Sequence, residues 1–383
     1  MNKNYLYANI DIAQSSKKSD ICGDVIHTIR RKQGTLILLC DGIGSGIKAN
    51  LAAKMLIARL TELIDRGFSQ HIAFHKIVET QNQYRTNGFS YVAFTLIWIR
   101  PDGATEILSH DGTRPIVIPK AGRLHPVNMD YHSSGQAIIG QCNLQLNIGD
   151  RLLVFSDGIT QAGLGRSCAA GWTENQIAKD IASQVEELNS SQIASAVHKI
   201  ALQKWGKPDG DDCTVMTITL GKPETVTLLT GPPANKKDDP HTINDFLNLH
   251  GTKIICGGTT AGIAARIMNK ELTVTDDVTG PWTPPCFALE GIDMVTEGVV
   301  TLNQIANLIK IDPSKLQGAS TAEKLCRHLL AADQINFIVG QAQNPASNDT
   351  LFTQIGVTQR INVIETLKKE LSRLDKLVLI DYI

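Results

Sequence analysis

The sequence predicts two fold classes in tandem: an α+β half built on antiparallel sheets over residues 1–222, then an α/β half with a mostly parallel sheet over residues 223–383. Three observations predict this. Before residue 220, short apolar strands follow one another through tight turn signals, the signature of antiparallel pairing. After Gly221-Lys222-Pro223, strands and helices alternate, as in layered α/β domains. And three strands of the first half carry acidic tips: Asp41-Gly42, Asp157-Gly158 and Gly210-Asp211-Asp212.

Each element follows from its local pattern. Residues 5–14 (YLYANIDIAQ) read as a strand, and a Gly23-Asp24 step sets a carboxylate beside the next one, at Val25 and Ile26. The consecutive aliphatics Leu36, Ile37, Leu38 and Leu39 stop sharply at Asp41, which reads as a strand buried on both faces. Gly42, Gly44 and Gly46 then allow tight turning, and Leu51, Met55, Leu56, Leu60, Leu63 and Ile64 recur at helical spacing up to a stop at Gly67. Residues 91–100 (YVAFTLIWIR) form a strand rich in β-branched and aromatic side chains, Pro101-Asp102-Gly103 a hairpin turn, and residues 104–108 and 116–118 two more strands. Residues 151–155 lead to Asp157, a helical region spans 174–204, and 213–220 is the last strand of this half. In the second half strands are expected at 225–233, 252–258, 335–340 and 376–383, and helices at 241–251, 259–268, 302–309, 321–332 and 360–374.

Composition narrows the function classes. Apolar residues make up 42% of the 383, enough for two domain cores, or three. Lys and Arg number 37 against 38 Asp and Glu, so no basic surface is available to hold nucleic acid. No window reaches the about 18 apolar residues of a membrane helix and the first residues lack a signal-peptide core, so a soluble, cytoplasmic protein is expected. The eight cysteines include no CxxC pair and read as small buried hydrophobes in a reducing compartment.

A single Asp-Gly at a strand end is most simply a turn. Three acidic strand ends are a constellation. If the strands are neighbours, Asp41, Asp157 and Asp211 meet at one point, and like charges there need cations between them. A hard divalent ion suits carboxylate oxygens and an uncrowded carbonyl such as that of Gly42.

With these motifs in view, residues 1–220 resemble the SpoIIE-type bacterial serine/threonine phosphatases, a branch of the metal-dependent phosphatase 2C class. The matching pieces are ICGD at 21–24, LCDGIGSG at 39–46, NIGDRLLVFSDGIT at 147–160 and GDDCTV at 210–215, with SHDGTRPIVI at 109–118 as a divergent copy of the Asn-Ala-Gly-His-Pro-Pro segment. The resemblance implies an αββα sandwich of two antiparallel sheets flanked by helices. It implies hydrolysis of phosphoserine or phosphothreonine in a protein substrate by water activated between two Mn²⁺ or Mg²⁺ ions, in bacterial signalling. Asp41 would bridge the ions, the Gly42 carbonyl would complete the first, and Asp157 and Asp211 the second. Asp24 would hold the first ion directly or through water, and Asp212 would support Asp211. The chain departs from the family where Gly44-Ser45-Gly46 replaces Gly-His-Gly, and no arginine near Asp24 matches the phosphate-binding one of eukaryotic members. The rival reading is a catalytically weak binding switch on the same fold.

In the second half, Gly257-Gly258-Thr259-Thr260 lies between a strand and a helix start, where free N–H groups and hydroxyls suit a phosphate or carboxylate. It is neither a Walker loop nor a Rossmann glycine fingerprint, and a tight turn with a threonine cap is the plainer alternative. Carboxylates at Glu290, Asp293 and Glu297 could face the same crevice or be solvated loop acids. This half is expected to bind a small anionic ligand or partner and to regulate the first, through the helix at about 48–66 that follows Asp41.

Overall fold

The computed structural model describes residues 5–17, 21–86, 91–166, 168–206, 210–275, 286–316, 320–342 and 359–383. Pro208 and Asp209, just before the third acidic tip, lie outside them. The chain divides into two compact units, Met1–Ile29 with Gln33–Lys222, and Pro223–Ile383 with Arg30–Lys32.

The first unit holds two antiparallel sheets. One contains β1 (Tyr7–Ser15), β6 (Ile116–Ile118), β7 (His125–Pro126), β10 (Arg151–Phe155) and β11 (Cys213–Gly221), in the order β1-β11-β10-β6-β7. The other contains β2 (Asp24–Arg31), β3 (Gly34–Gly42), β4 (Val92–Ile99), β5 (Ala104–His110), β8 (Asp130–Ser134) and β9 (Ala137–Gln145), in the order β2-β3-β4-β5-β9-β8. Alternation along β3 explains the layering. Ile37 and Leu39 point between the sheets, where they meet Leu152, Val154, Met216 and Ile218. Leu36, Leu38 and Cys40 point outward onto α1 (Ile47–Asp65) and α2 (Gln70–Thr86), beside Leu60, Phe74 and Ile77. On the far side, Leu153, Phe155 and Val215 pack under α4 (Glu174–Ile181) and α5 (Ser190–Trp205), and Asp157 opens a single helical turn, α3 (Asp157–Thr160). The result is the expected αββα sandwich. A strand buried on both faces belongs here to the middle of that sandwich, not to a parallel sheet.

Several expectations change. The helical region at 174–204 is two helices, because Asn189 starts a new one: its side chain accepts from the Gln192 backbone while Gln192 reaches back to the Asn189 N–H. On α1 the buried face is Ala49, Ala53, Leu56, Ile57, Leu60 and Ile64, whereas Leu51 and Met55 are more than half exposed. The two alanines, not the larger side chains, allow the first turns to approach the sheet. Helix α2 and strands β8 and β9 were not anticipated.

The second unit is a seven-stranded sheet between helix layers. Its strands are β12 (Thr225–Thr230), β13 (Thr252–Cys256), β14 (Leu272–Val274), β15 (Cys286–Leu289), β16 (Met294–Thr296), β17 (Gln334–Val339) and β18 (Leu377–Tyr382). The order is β14-β15-β16-β13-β12-β17-β18; the last five are parallel and the β14–β15 edge is antiparallel. Helices α6 (Asp239–Leu247) and α7 (Gly258–Met268) cover one face through Phe246, Ala261 and Ala264 against Leu229 and Ile255. Helices α8 (Val299–Leu308), α9 (Thr321–Ala331) and α10 (Arg360–Arg373) cover the other through Leu302, Leu325 and Leu367 against Leu228, Ile254 and Phe337. No helix among the described residues is long and apolar enough to cross a membrane.

Candidate metal centre

The acidic residues come from both sheets of the first unit. Asp24 starts β2 and Asp41 lies near the end of β3, while Asp157 follows β10 and Asp211 and Asp212 precede β11. Strands β10 and β11 are antiparallel neighbours, so the end of one and the start of the other share one edge. The meeting point is therefore across the sandwich, and not among adjacent strands of one sheet.

Glycine follows the aspartate twice for a packing reason. A Cβ on Gly42 would collide with the Ala49 backbone at the start of α1, and one on Gly158 would collide with the Asp212 carbonyl. The helix starts can press this close to the carboxylates only because these positions are bare. Asn50 of α1 also donates to the Cys22 carbonyl at 2.7 Å, tying the helix to the loop that carries Asp24.

Asp41 and Asp157 hydrogen-bond to each other through their side chains. Burial, and then the charges of Asp24 and Asp157, push the Asp41 carboxyl well above the usual range. Burial raises Asp157 as well, and Gln161 donates to its Oδ2 at 2.7 Å. Asp24 is only 2% exposed, and neither carboxylate oxygen has a hydrogen-bond partner. Burial pushes its carboxyl up to about 6, with Thr214 and Ser156 pulling the other way. Asp211 accepts from the Asp212 backbone N–H at 3.0 Å and has the ammonium of Lys17 3.6 Å away. Asp212 is used differently: Oδ1 accepts from the Lys17 N–H at 2.7 Å and Oδ2 from the Gly23 N–H at 2.8 Å. It staples both ends of the loop that presents Asp24.

This donor set suits a hard cation: it is all oxygen, and two buried oxygens of Asp24 lack donors. As they stand, no three His, Cys, Asp or Glu side chains among the described residues encircle one point. Asp41 and Asp157 satisfy each other instead. The Gly42 carbonyl lies beside the residue before Asp24, 3.4 Å from where a Cβ on Gly23 would be.

The divergent 109–118 segment also reaches this edge. The Thr113 hydroxyl donates to the Phe155 carbonyl, two residues before Asp157. Asp111 takes a left-handed φ of 50° and accepts from Arg85, Tyr91 and the Ile138 N–H. Ser45 is exposed in the open loop before α1. Lys17, Asn50, Gln161, Ser156 and Thr214 were not singled out from sequence. Only Gln161, one helical turn after Asp157, had a readable spacing.

Residues 31–221 match the family model described as Stage II sporulation protein E (SpoIIE). The N-terminal unit belongs to the SpoIIE family. Among solved structures, the RsbU and RsbW domains of Rv1364c from Mycobacterium tuberculosis align at 16% identity with a TM-score of 0.47, over 62% of this chain and 67% of that one. The PP2C phosphatase domain with a fragment of the regulatory domain of SpoIIE from Bacillus subtilis aligns at 18% identity and 0.45, over 57% of this chain and 64% of that one. The SiaA-PP2C domain of Pseudomonas aeruginosa aligns at 16% identity and 0.44, over 55% of this chain and 85% of that one. This chain thus spans about two thirds of the length of the first two. No curated protein sequence matches it. The SpoIIE-family unit carries its acidic residues on the strand ends that the fold brings to one edge.

In the second unit only Gly257 lies between β13 and α7, and Gly258, Thr259 and Thr260 form the first turn of the helix. The N-cap is Gly257, without a side-chain hydrogen bond, so no threonine caps the helix. Thr259 is exposed and Thr260 is buried, so the two hydroxyls do not face one way. Glu290 pairs with Lys270 at 2.7 Å and Asp293 accepts from the Lys253 N–H at 2.7 Å, both before β16. Only Glu297 follows that strand.

Proposed function

We propose that the SpoIIE-family unit is a protein phosphatase for phosphoserine or phosphothreonine, acting in bacterial cytoplasmic signalling with two divalent cations, Mn²⁺ or Mg²⁺. The observation that carries the reading is the meeting of Asp41 and Asp157, carboxylates from two different sheets, beside the donor-free buried oxygens of Asp24. In this reading Asp41, Asp24 and the Gly42 carbonyl would hold the first ion, and Asp41, Asp157 and Asp211 the second. Asp212 acts by fixing the Asp24 loop. Bound ions would supply Lewis acidity to the phosphoryl group and activate a water for in-line attack. The chain's own contribution is to orient the carboxylates: Gln161 fixes Asp157, and Ser156 is held by donating to the Asp212 carbonyl at 3.5 Å while its Oγ accepts from the Thr214 N–H at 3.0 Å. Lys17 offers a cation at the open side, able to meet a phosphate or to neutralise Asp211.

That last contact is also what favours the rival reading, a weakly catalytic switch whose acidic site is partly neutralised by its own lysine. One experiment separates them. Purified full chain should hydrolyse an aryl phosphate with Mn²⁺ and stop with EDTA, and Asp41→Ala or Asp157→Ala should abolish turnover while leaving the circular dichroism unchanged. Absence of Mn²⁺-dependent turnover in the wild type, or full activity in Asp41→Ala, removes the enzyme reading.

For the second unit we take a regulatory role, with a small anionic ligand at Gly257, Gly258, Thr259 and Thr260 acting on α1. The uncapped start of α7 supports it.

A further inference from the structure

Within the second unit, β12, β13 and β16 are laid down in one direction across the sheet, and the chain then returns to add β17 and β18 on the other side of β12. The order reverses between β12 and β17. Connections leave these two strands toward opposite faces, which opens a crevice at their carboxyl ends.

Arg360, the first residue of α10, reaches into that crevice. Its Nη1 lies 3.2 Å from the Gly340 carbonyl and 3.4 Å from the Thr230 carbonyl, the ends of β17 and β12. Any Cβ on Gly231 would collide with this guanidinium, so the glycine makes its room. Among the described residues no carboxylate pairs with Arg360. Burial lowers its pKa, the mark of a cation partly withdrawn from water. Two carbonyls leave most of its donors unused.

Beside it stands the start of α7, eleven residues long and capped only by Gly257. A Cβ on Gly258 would meet nothing within 4 Å, so open space faces this helix start. The neighbouring start of α8 differs, because Glu297 turns its carboxylate onto the Gly298 N–H. Helix α7 is the one left open to an anion.

An independent feature also borders Gly231. Asp239 is 6% exposed, and its Oδ1 has no hydrogen-bond partner. Oδ2 is 3.9 Å from Arg266. The side chain borders a small cavity shared with Gly231, Pro232, Thr242 and Thr260. A buried carboxylate oxygen there calls for a donor. A bare anion would be repelled by Asp239, and a metal ion by Arg360. A ligand with an anionic end and a hydroxyl end satisfies both.

We propose that this crevice binds a phosphorylated sugar, free or as part of a nucleotide, with phosphate between Arg360 and the start of α7 and a sugar hydroxyl donating to Asp239. It rests on the reading of the second unit as an anion-binding domain and does not depend on the phosphatase reading. The test is calorimetric titration of the full chain in EDTA, which keeps phosphate probes off any ions at the acidic site. The probes are inorganic phosphate, ribose 5-phosphate and adenosine 5′-monophosphate. At least one sugar-bearing probe should bind saturably, at one site per chain. Arg360→Gln and Gly258→Ala should each weaken it by about tenfold or more, and Asp239→Asn should weaken sugar-bearing probes by about tenfold while sparing inorganic phosphate. Gly258→Ala has space for its methyl group and should keep the wild-type melting temperature. Preference for ribose 5-phosphate assigns a free sugar phosphate, and preference for the monophosphate a nucleotide. No saturable binding of any probe at about 10 mM, or wild-type binding by both Arg360→Gln and Gly258→Ala, overturns the proposal. Unchanged sugar-phosphate binding by Asp239→Asn overturns it too, but leaves the simple anion reading standing.

Discussion

At the scale of single residues, the first unit holds two kinds of buried titratable group with opposite pH behaviour. The Asp24, Asp41 and Asp157 carboxyls are raised mainly by burial, so in the absence of bound cations the folded state holds more protons than the unfolded chain around neutral pH. These groups favour folding as pH falls. His110 does the reverse. Its ring is fully buried against Tyr91 and Phe94, and neither nitrogen has a hydrogen-bond partner. Burial, and then the charge of Arg85, push its pKa down to about 4, against a pull from the Val92 backbone. The unfolded chain takes up this proton below about 6.5 while the folded one stays neutral. Stability from His110 is complete above that pH and is lost as pH falls toward the folded value. His110→Phe keeps the aromatic packing and removes the titration. In urea unfolding from pH 7 to 4.5, the wild type should lose about 2 kcal/mol relative to that variant. A pH-independent difference between them would contradict this account. Comparing the two proteins cancels the carboxylates.

At the scale of elements, α1 governs the acidic site. Its first turn abuts Gly42, and Asn50 holds the loop before Asp24, so movement of the helix moves acidic residues on two strands at once. A shift of about 1 Å at such a site can cost on the order of 100-fold in rate. Which face of α1 is structural is directly testable. Leu60 is fully buried, and Leu60→Ala should cost about 2–5 kcal/mol in denaturant unfolding. Met55 is 63% exposed, and Met55→Lys should stay within about 0.5 kcal/mol of wild type. Equal losses for the two would mean the helix is rotated from the orientation described. Helix α2 escaped detection for a related reason. Its buried residues Ala73, Phe74, Ile77 and Val78 form a short stripe, interrupted by His75 and Lys76 and closed by the buried amide of Gln81, which caps no strand pattern of its own but accepts from the Val92 N–H at 3.0 Å.

At the scale of the whole molecule, each unit carries its own sheets and cores. A chain ending at Lys222 should therefore give its own cooperative thermal transition and retain Mn²⁺-dependent turnover. If the second unit regulates the first, kcat or Mn²⁺ affinity should differ from the full chain by about fivefold or more. Equal values in both proteins would leave the second unit without a regulatory role, and the phosphatase reading would stand.

The sequence by itself determined the strand ends that carry Asp41 and Asp157, because a sharp stop in an apolar run followed by Asp-Gly is local information, and the strand starts beside Asp24 and Asp211, where a Gly-Asp step opens an apolar run. It also determined the change from turn-linked strands to strand–helix alternation near residue 222. Tertiary structure decided the rest. Asp41 and Asp157 meet across the space between two sheets, a contact between residues 116 positions apart that no local pattern encodes. Whether Asp212 faces a cation or two backbone amides depends on where the Lys17–Gly23 loop lands. Arg360 and Asp239 come together at Gly231 only because the sheet reverses its order beside β12. Periodicity reports which side chains leave the water; it carries no record of which buried surfaces meet, and the chemistry of this protein is assembled where they do.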